Sequence, residues 1–326
     1  MFQPTALRVP AALLDAALSP GLSRRWERGE FVRLTSGYYV SIDEWLGASP
    51  WDRFALAVSA KALRAPRSVF CCETAMFIMG LPAGRVPPQV QTLATVPHAS
   101  GVRPRTFRCV DPDVPPAATT VGHLHLPTPE TVRAGDFRVV AAAHAAARVL
   151  GRTTLEIALP LADALLRSGT IGISDGTLLT AIEAMPEGTS RRQGKGVLKL
   201  ADGRSESPGE SASRAVMLRL GVEPPELQVE LVLPSGRLVR PDYWWRKAGV
   251  AGEFDGRGKY LDPDLVAEGS AWEVLRQEKQ RQAELLQVAN AVVRWTSEDL
   301  QRPEVLRERL ARAGVDVDPL RRSRLR

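Results

Sequence analysis

The run Val250-Ala251-Gly252-Glu253-Phe254-Asp255 is short and apolar enough for an inner strand, yet it ends in two acids one residue apart. Side chains alternate along a strand, so Glu253 and Asp255 share one side, and any fold holding this strand must give both carboxylates a cleft or solvent. The preceding run Leu238 to Trp245 reads as a return strand paired with Val229 to Leu233 across the turn Pro234-Ser235-Gly236, and it carries Asp242 after Pro241. Adjacent strands bring Asp242 beside Glu253 and Asp255. Converging carboxylates repel one another unless a cation sits among them, and a hard divalent ion such as Mg²⁺ or Mn²⁺ takes oxygen ligands of this kind. Such an ion also lowers the pKa of a bound water and neutralises charge on phosphoryl oxygens, the requirements of phosphodiester hydrolysis. The residues alone leave open a plainer reading, three ordinary acids exposed at strand ends.

The flanking segments have the patterns of helices and one further strand. Ser207-Pro208-Gly209-Glu210 opens a helix with a capping residue and an early Pro, Ala215, Val216, Leu218 and Leu220 give it an apolar face, and Gly221 stops it. Leu275 to Val288 reads as a helix with Glu278 and Arg281 three apart on one face, where a solvent-facing ion pair is the plain reading. Ala291 to Trp295 is a closing strand. Residues 301–326 read as a basic tail, helical at first and then frayed, with Arg321, Arg322, Arg324 and Arg326 as phosphate contacts or a plain terminus.

Taken in order, Ser207-Pro208-Gly209-Glu210-Ser211, Pro241-Asp242, Gly252-Glu253-Phe254-Asp255-Gly256 with Lys259-Tyr260, Glu278-Lys279-x-Arg281 and Val292-Val293-Arg294-Trp295 resemble a bacterial family. That family carries a domain of unknown function akin to the very-short-patch-repair endonucleases, within the PD-(D/E)XK nuclease superfamily. The resemblance covers about 100 residues. It implies a mixed sheet flanked by helices, with Asp242 and Glu253 as ligands of Mg²⁺ or Mn²⁺, Asp255 beside them and Glu210 as an auxiliary acid; the Leu275 to Val288 helix then flanks the site with Arg281 on a phosphate or one of the acids, and Arg281 and Arg294 face nucleic acid. The superfamily's lysine, two positions after the Glu, is replaced here by Asp255, and Lys259 beyond the Gly256 turn is placed to reach back and supply the missing cation.

At the other end of the chain, Ala11 to Ala17 and Leu22 to Arg28 read as short helices, and Phe31 to Leu34 and Tyr38 to Val40 as a hairpin closed by Thr35-Ser36-Gly37. Arg28-Gly29-Glu30-Phe31-Val32-Arg33-Leu34 with Gly37-Tyr38-Tyr39 resembles the N-terminal winged helix of the AbiEi-type antitoxins, and Glu73-Thr74-Ala75 before Gly80-Leu81-Pro82 is similar to the region that follows it in those proteins. The resemblance implies DNA binding and a toxin partner. Arg24, Arg25 and Arg28 would then face the DNA, although a solvated charged face is an equal reading of the residues themselves.

Length and composition set the frame for these pieces. The chain has 326 residues, 44% apolar and 25% charged, enough for several globular modules. The expected division is a winged-helix-like module over 1–45, an α+β middle region over 46–188, a linker over 189–206, a restriction-endonuclease-like α/β domain over 207–300, and the tail. Helices are expected over Trp51 to Leu63, Leu155 to Ser168 and Ser174 to Met185, and strands over Val90 to Val96, Thr106 to Val110 and Val121 to Leu126. His123 and His125 alternate on one strand, but no partner at a metal-binding spacing stands nearby, so they read as packing or surface residues. Cys71, Cys72 and Cys109 read as reduced apolar residues. No run reaches the roughly 20 apolar residues of a membrane span, and Met1 to Pro10 lacks the features of a secretion signal, so a cytoplasmic protein without a membrane partner is expected. The charge of +6 is concentrated in residues 1–200, with 22 Lys/Arg against 16 Asp/Glu. These readings predict a DNA-directed protein, DNA rather than RNA, with a Mg²⁺-dependent endonuclease domain; the alternative is a non-catalytic DNA-binding regulator or antitoxin.

Overall fold

The computed structural model describes residues 7–94, 96–104, 120–124, 129–167, 173–256 and 280–321. Helices and small sheets are mixed along the chain, as expected for an α/β protein, and they divide into two compact units. One comprises Gln3–Thr153 with Ile173–Lys195, the other Thr154–Gly172 with Gly196–Arg326.

The N-terminal unit opens with β1 (Leu14–Asp15), α1 (Leu22–Glu27), β2 (Phe31–Thr35) and β3 (Tyr38–Ser41), whose strands form an antiparallel sheet in the order β1-β3-β2. The turn between β2 and β3 lies where the sequence places it, and Gly37 takes φ +89°, a conformation natural to glycine. Ala11 to Ala17 does not form the expected helix. Leu14 and Asp15 pair with Tyr39 and Tyr38, and Ala16 N donates to Gly37 O at 2.8 Å. So short a stretch pays the full cost of helix nucleation, whereas the edge of β3 satisfies its backbone directly.

Next come α2 (Ile42–Gly47), capped by Ser41, and α3 (Pro50–Arg64), held by a capping box between Ser49 and Asp52. Trp45, Val32, Val40 and Leu56 pack together beneath them. The unit continues with α4 (Cys72–Ile78), β4 (Gln89–Leu93), β5 (Gly101–Pro104), β6 (Thr120–Leu124), the hairpin β7 (Thr131–Ala134) and β8 (Phe137–Val140), and α5 (Ala142–Leu150). In its second sheet β6 runs parallel to β4 and antiparallel to β5. Cys71 and Cys72 are buried free thiols, as expected. Thr106 to Val110, Cys109 and His125 lie outside the described residues.

Two segments depart from the expected division. Helix α6 (Leu155–Leu166) belongs to the C-terminal unit rather than to the middle region, and the expected linker is helical: after α7 (Asp175–Glu183), α8 (Thr189–Leu200) carries the chain from one unit to the other. Gln193 Nε2 donates to Thr153 O at 2.6 Å, and a Cβ on Gly194 would meet Ile182 Cγ2 at 3.3 Å. The glycine that suggested flexibility serves close packing, and tertiary contacts override weak local propensity.

The C-terminal unit continues with α9 (Pro208–Leu220), β9 (Glu226–Leu227), β10 (Leu231–Val232), β11 (Leu238–Val239), β12 (Tyr243–Trp245) and β13 (Val250–Asp255). After α10 (280–285) come β14 (Ala291–Thr296), α11 (Ser297–Leu300) and α12 (Pro303–Arg312). The main sheet has the order β14-β13-β12-β9, in which β12 is antiparallel to β9 and β13 while β14 is parallel to β13. Tyr243, Trp245, Val250, Val293 and Trp295 pack with Val216, Met217 and Leu220 of α9 and Leu306 and Leu310 of α12. Trp244 and Ala251, of opposite alternation, pack with Leu285 of α10. The sequence read residues 301–326 as a tail, but Leu306 and Leu310, one helical turn apart, are fully buried in this core.

Helix α6 is fastened to α9 by a buried ion pair. Arg214 Nη2 donates to both oxygens of Asp163 at 2.7 Å, Asp202 N donates to Asp163 Oδ1 at 2.8 Å, and Arg214 Nη1 reaches Leu200 O. Burial pushes the Asp163 carboxyl above its usual range against the pull of Arg214. Breaking such a pair is costlier than replacing it, because one charge remains buried alone. Arg214→Met should therefore lower stability at neutral pH by about 3–5 kcal/mol, read as a lower urea midpoint, and adding Asp163→Leu should restore most of the loss. A single variant as stable as wild type would show that the pair contributes nothing.

Candidate functional site

Pro241 has no N–H to give a ladder, and the return strand expected over Leu238 to Trp245 is broken there into β11 and β12. Asp242 stands at the break, just before β12. Tyr243 pairs with Gly252 across β12 and β13, so continuing this register by one residue sets Asp242 opposite Glu253. Phe254 N donates to Asp242 Oδ2 at 2.8 Å and fixes the carboxylate there. On the other side of β13, Arg294 is the register partner of Glu253 in β14. Arg294, Glu253 and Asp242 thus form a row across three strands.

Glu253 is 5% exposed, and both of its oxygens are engaged. Arg281 Nε of α10 donates to Oε1 at 2.7 Å and Arg294 Nη2 to Oε2 at 2.5 Å. Arg281 Nη2 also donates to Arg240 O at 2.9 Å. Glu210 enters from the first turn of α9, where its Oε2 accepts from Glu206 N at 2.8 Å and Gln228 Nε2 at 3.5 Å. Asp255 is half-buried at the end of β13. These acids line one open cleft of about 940 Å³, whose walls also carry Arg237, Arg240, Arg281 and Arg294. The structure therefore brings Glu210, Asp242, Glu253, Asp255, Arg281 and Arg294 together around one cleft. Lys259 and Glu278 lie outside the described residues.

The sequence reading missed Arg237 and Arg240. Their signal was present, since Arg237 follows the turn glycine Gly236 and Arg240 directly precedes Pro241-Asp242. In the structure Arg240 Nη2 donates to Glu206 Oε1 at 2.6 Å and Arg237 pairs with Glu284.

The Mg²⁺ or Mn²⁺ site expected from Asp242, Glu253 and Asp255 does not fit this arrangement. Two guanidinium groups already take both oxygens of Glu253, and among the described residues no three His, Cys, Asp or Glu side chains gather as a metal cluster. The carboxylates nevertheless act on one another. Burial, with the nearby charges of Glu210 and Glu253, pushes Asp242 from 3.8 to about 7, against the Phe254 N–H and Arg281. Burial likewise raises Glu210.

The N-terminal arginines are spread over α1 and its end. Arg24, Arg25 and Arg28 are all exposed, but Arg25 is engaged: its Nε donates to Glu30 Oε2 at 2.6 Å and its guanidinium lies 4.6 Å from the Phe31 ring centroid. Among the described residues no helix is long and apolar enough to cross a membrane.

Comparison with known proteins adds little about activity. No family model matches the chain, and no solved structure does. Two uncharacterized proteins of Mycobacterium tuberculosis, MT2308 of strain CDC 1551 and Rv2248 of strain H37Rv, are each 33% identical to it over 117 residues. The match takes in 36% of this chain and 40% of the length of each relative.

An acid whose folded pKa is raised holds its proton more tightly in the folded than in the unfolded chain. For Asp242 stability is unpenalised below about pH 4, falls as the pH climbs to about 7, and is lower beyond that by up to about 4 kcal/mol. Asp242→Asn keeps an acceptor for Phe254 N and removes the charge. In metal-free buffer the variant should match wild type near pH 4 and exceed it at pH 8 in thermal unfolding; identical profiles would refute this account of Asp242.

Proposed function

We propose that this protein binds DNA, and that the C-terminal cleft grips the phosphodiester backbone through the arginines on its walls. The observation that carries this reading is the placement of Arg237, Arg240, Arg281 and Arg294 around one open cleft of about 940 Å³. Guanidinium groups match phosphate oxygens with paired donors, and each phosphate neutralised releases condensed counterions. The order α9, antiparallel β12 and β13, α10, then β14 parallel to β13 supports a PD-(D/E)XK nuclease-like fold for this unit. In the N-terminal unit, α1 precedes a β2–β3 hairpin whose β3 also pairs with β1, which supports a reduced winged helix with Arg24, Arg25 and Arg28 toward DNA. A toxin partner follows only from the antitoxin resemblance.

With Glu253 held by two arginines, the arrangement favours a DNA-binding regulator. A second reading, hydrolysis aided by Mg²⁺ or Mn²⁺, is favoured by one observation: Asp242 is set opposite Glu253 with Glu210 close enough to raise its pKa. The residues that would act are then Asp242 and Glu210, with Arg281 and Arg294 placed to hold phosphate.

Duplex binding should weaken with salt, and Arg237→Ala with Arg240→Ala should reduce the slope of log affinity against log salt by about 2, close to 0.9 per lost phosphate contact. Arg24→Glu, Arg25→Glu and Arg28→Glu in the full chain should flatten it by a similar step if the winged helix takes part. An unchanged slope in the cleft variant would overturn the cleft reading. Nicking of plasmid by wild type with Mn²⁺, lost in Asp242→Ala, would select the second reading over the regulator.

A further inference from the structure

Helix α5 presents His144 and Arg148, one turn apart, to a pocket of about 40 Å³ whose walls are Ala181, Ala184, Met185 and Pro186 at the end of α7. Both side chains are half-buried. His144 Nδ1 and Arg148 Nε are closed off from water, and neither has a hydrogen-bond partner among the described residues. The charges that act on Arg148 are those of Arg152 and of the thiols Cys71 and Cys72, with no carboxylate of the described residues among them. A side-chain hydrogen bond with Cys72, and then burial, push the Cys71 thiol well above its ordinary range, so that neighbour stays neutral and offers no counter-charge. Burial, and then the like charge of Arg152, lower the Arg148 guanidinium from its ordinary value. A guanidinium held half-buried without an anion costs stability that a bound anion would return.

We propose that this pocket binds a small carboxylate, its two oxygens on Arg148 and His144 and its aliphatic end against Met185 and Pro186. The choice of anion follows from the donors. Alanine, proline and methionine side chains supply none, so the pocket offers the guanidinium of Arg148 and the Nδ1–H of His144. These satisfy the two oxygens of a carboxylate, whereas a tetrahedral phosphate would turn further charged oxygens onto apolar walls and lose their hydration without return. Size agrees, since one water needs roughly 10–15 Å³ on the same measure, and a pocket of about 40 Å³ has room for a short-chain acid but not for a nucleotide. The site lies in the N-terminal unit and shares no residue with the C-terminal cleft, so it stands whether or not that cleft binds DNA.

The test titrates the full chain with propionate and, separately, with inorganic phosphate, each exchanged for chloride at constant ionic strength and neutral pH. Binding is read by calorimetry and by the imidazole magnetic resonances of His144, assigned with His144→Gln. Propionate should bind saturably with a dissociation constant of about a millimolar or tighter, within the ceiling for so small a ligand, and should move the His144 resonances. Arg148→Met should weaken this binding about tenfold or more, the scale of one charge-assisted hydrogen bond. Propionate should also raise the urea midpoint of wild type and leave that of Arg148→Met unchanged, because only the protein that binds it is stabilised. If Arg148→Met fails to fold, as judged by circular dichroism, Arg148→Lys keeps the charge, loses the paired donors and should likewise bind propionate more weakly. Phosphate bound as tightly as propionate would overturn the choice of a carboxylate. Undiminished propionate binding in the Arg148 variant, or no saturable binding with the His144 resonances unmoved, would overturn the site itself.

Discussion

The carboxylate of Glu253 is largely shut off from water, because the side chain sits on an inner strand and is covered by its neighbours. Its two guanidinium partners are what make that position tolerable, and they come from different elements. Arg294 is set by the parallel pairing of β13 and β14, and Arg281 by the placement of α10. Arg281 also reaches Arg240 O, in the link between β11 and β12. One buried carboxylate thus gathers a strand, a helix and a connecting segment around the cleft.

The acids were legible in the sequence because they depend on local rules. Alternation along β13 separates Glu253 and Asp255 from Phe254, and an antiparallel neighbour brings Asp242 alongside whatever the details of the turn. The engagement of Glu253 was legible only in part, since Arg281 was read as holding a phosphate or one of the acids and Arg294 as facing nucleic acid. Arg294 lies 41 residues away and Arg281 28 residues away, and only the β13–β14 register and the docking of α10 join them to it. The helices with caps at both sequence and structure level, α7 and α9, were found close to their true bounds. Errors fell where tertiary packing decides: β1 was drawn from helix-forming residues by an open strand edge, α8 looked flexible because of glycines of which Gly194 serves contact, and α12 looked like a tail because its two core leucines are outnumbered by charges.

Nothing in the mutual interactions of the acids holds them at their spacing, since Glu210 and Glu253 both push Asp242 toward protonation. Their positions are imposed by the aromatic core on the other side of the sheet. Tyr243 OH donates to Glu210 O at 2.8 Å, and Trp295 Nε1 to Ser213 Oγ at 2.9 Å, which ties α9 to β12 and β14. Gly209 and Gly252 complete the fit. A Cβ on Gly209 would meet Phe254 Cε1 at 2.1 Å, and one on Gly252 would meet Trp295 Cη2 at 2.8 Å and Trp245 Cζ3 at 2.9 Å. Both residues adjoin a site acid, Glu210 and Glu253 respectively. The close approach of helix to sheet therefore fixes the distance between carboxylates that would otherwise move apart, and packing energy is converted into electrostatic strain at the cleft. That strain is relieved as Asp242 takes up a proton below about pH 7, and any cationic ligand of the cleft has to compete with that proton for the same carboxylate.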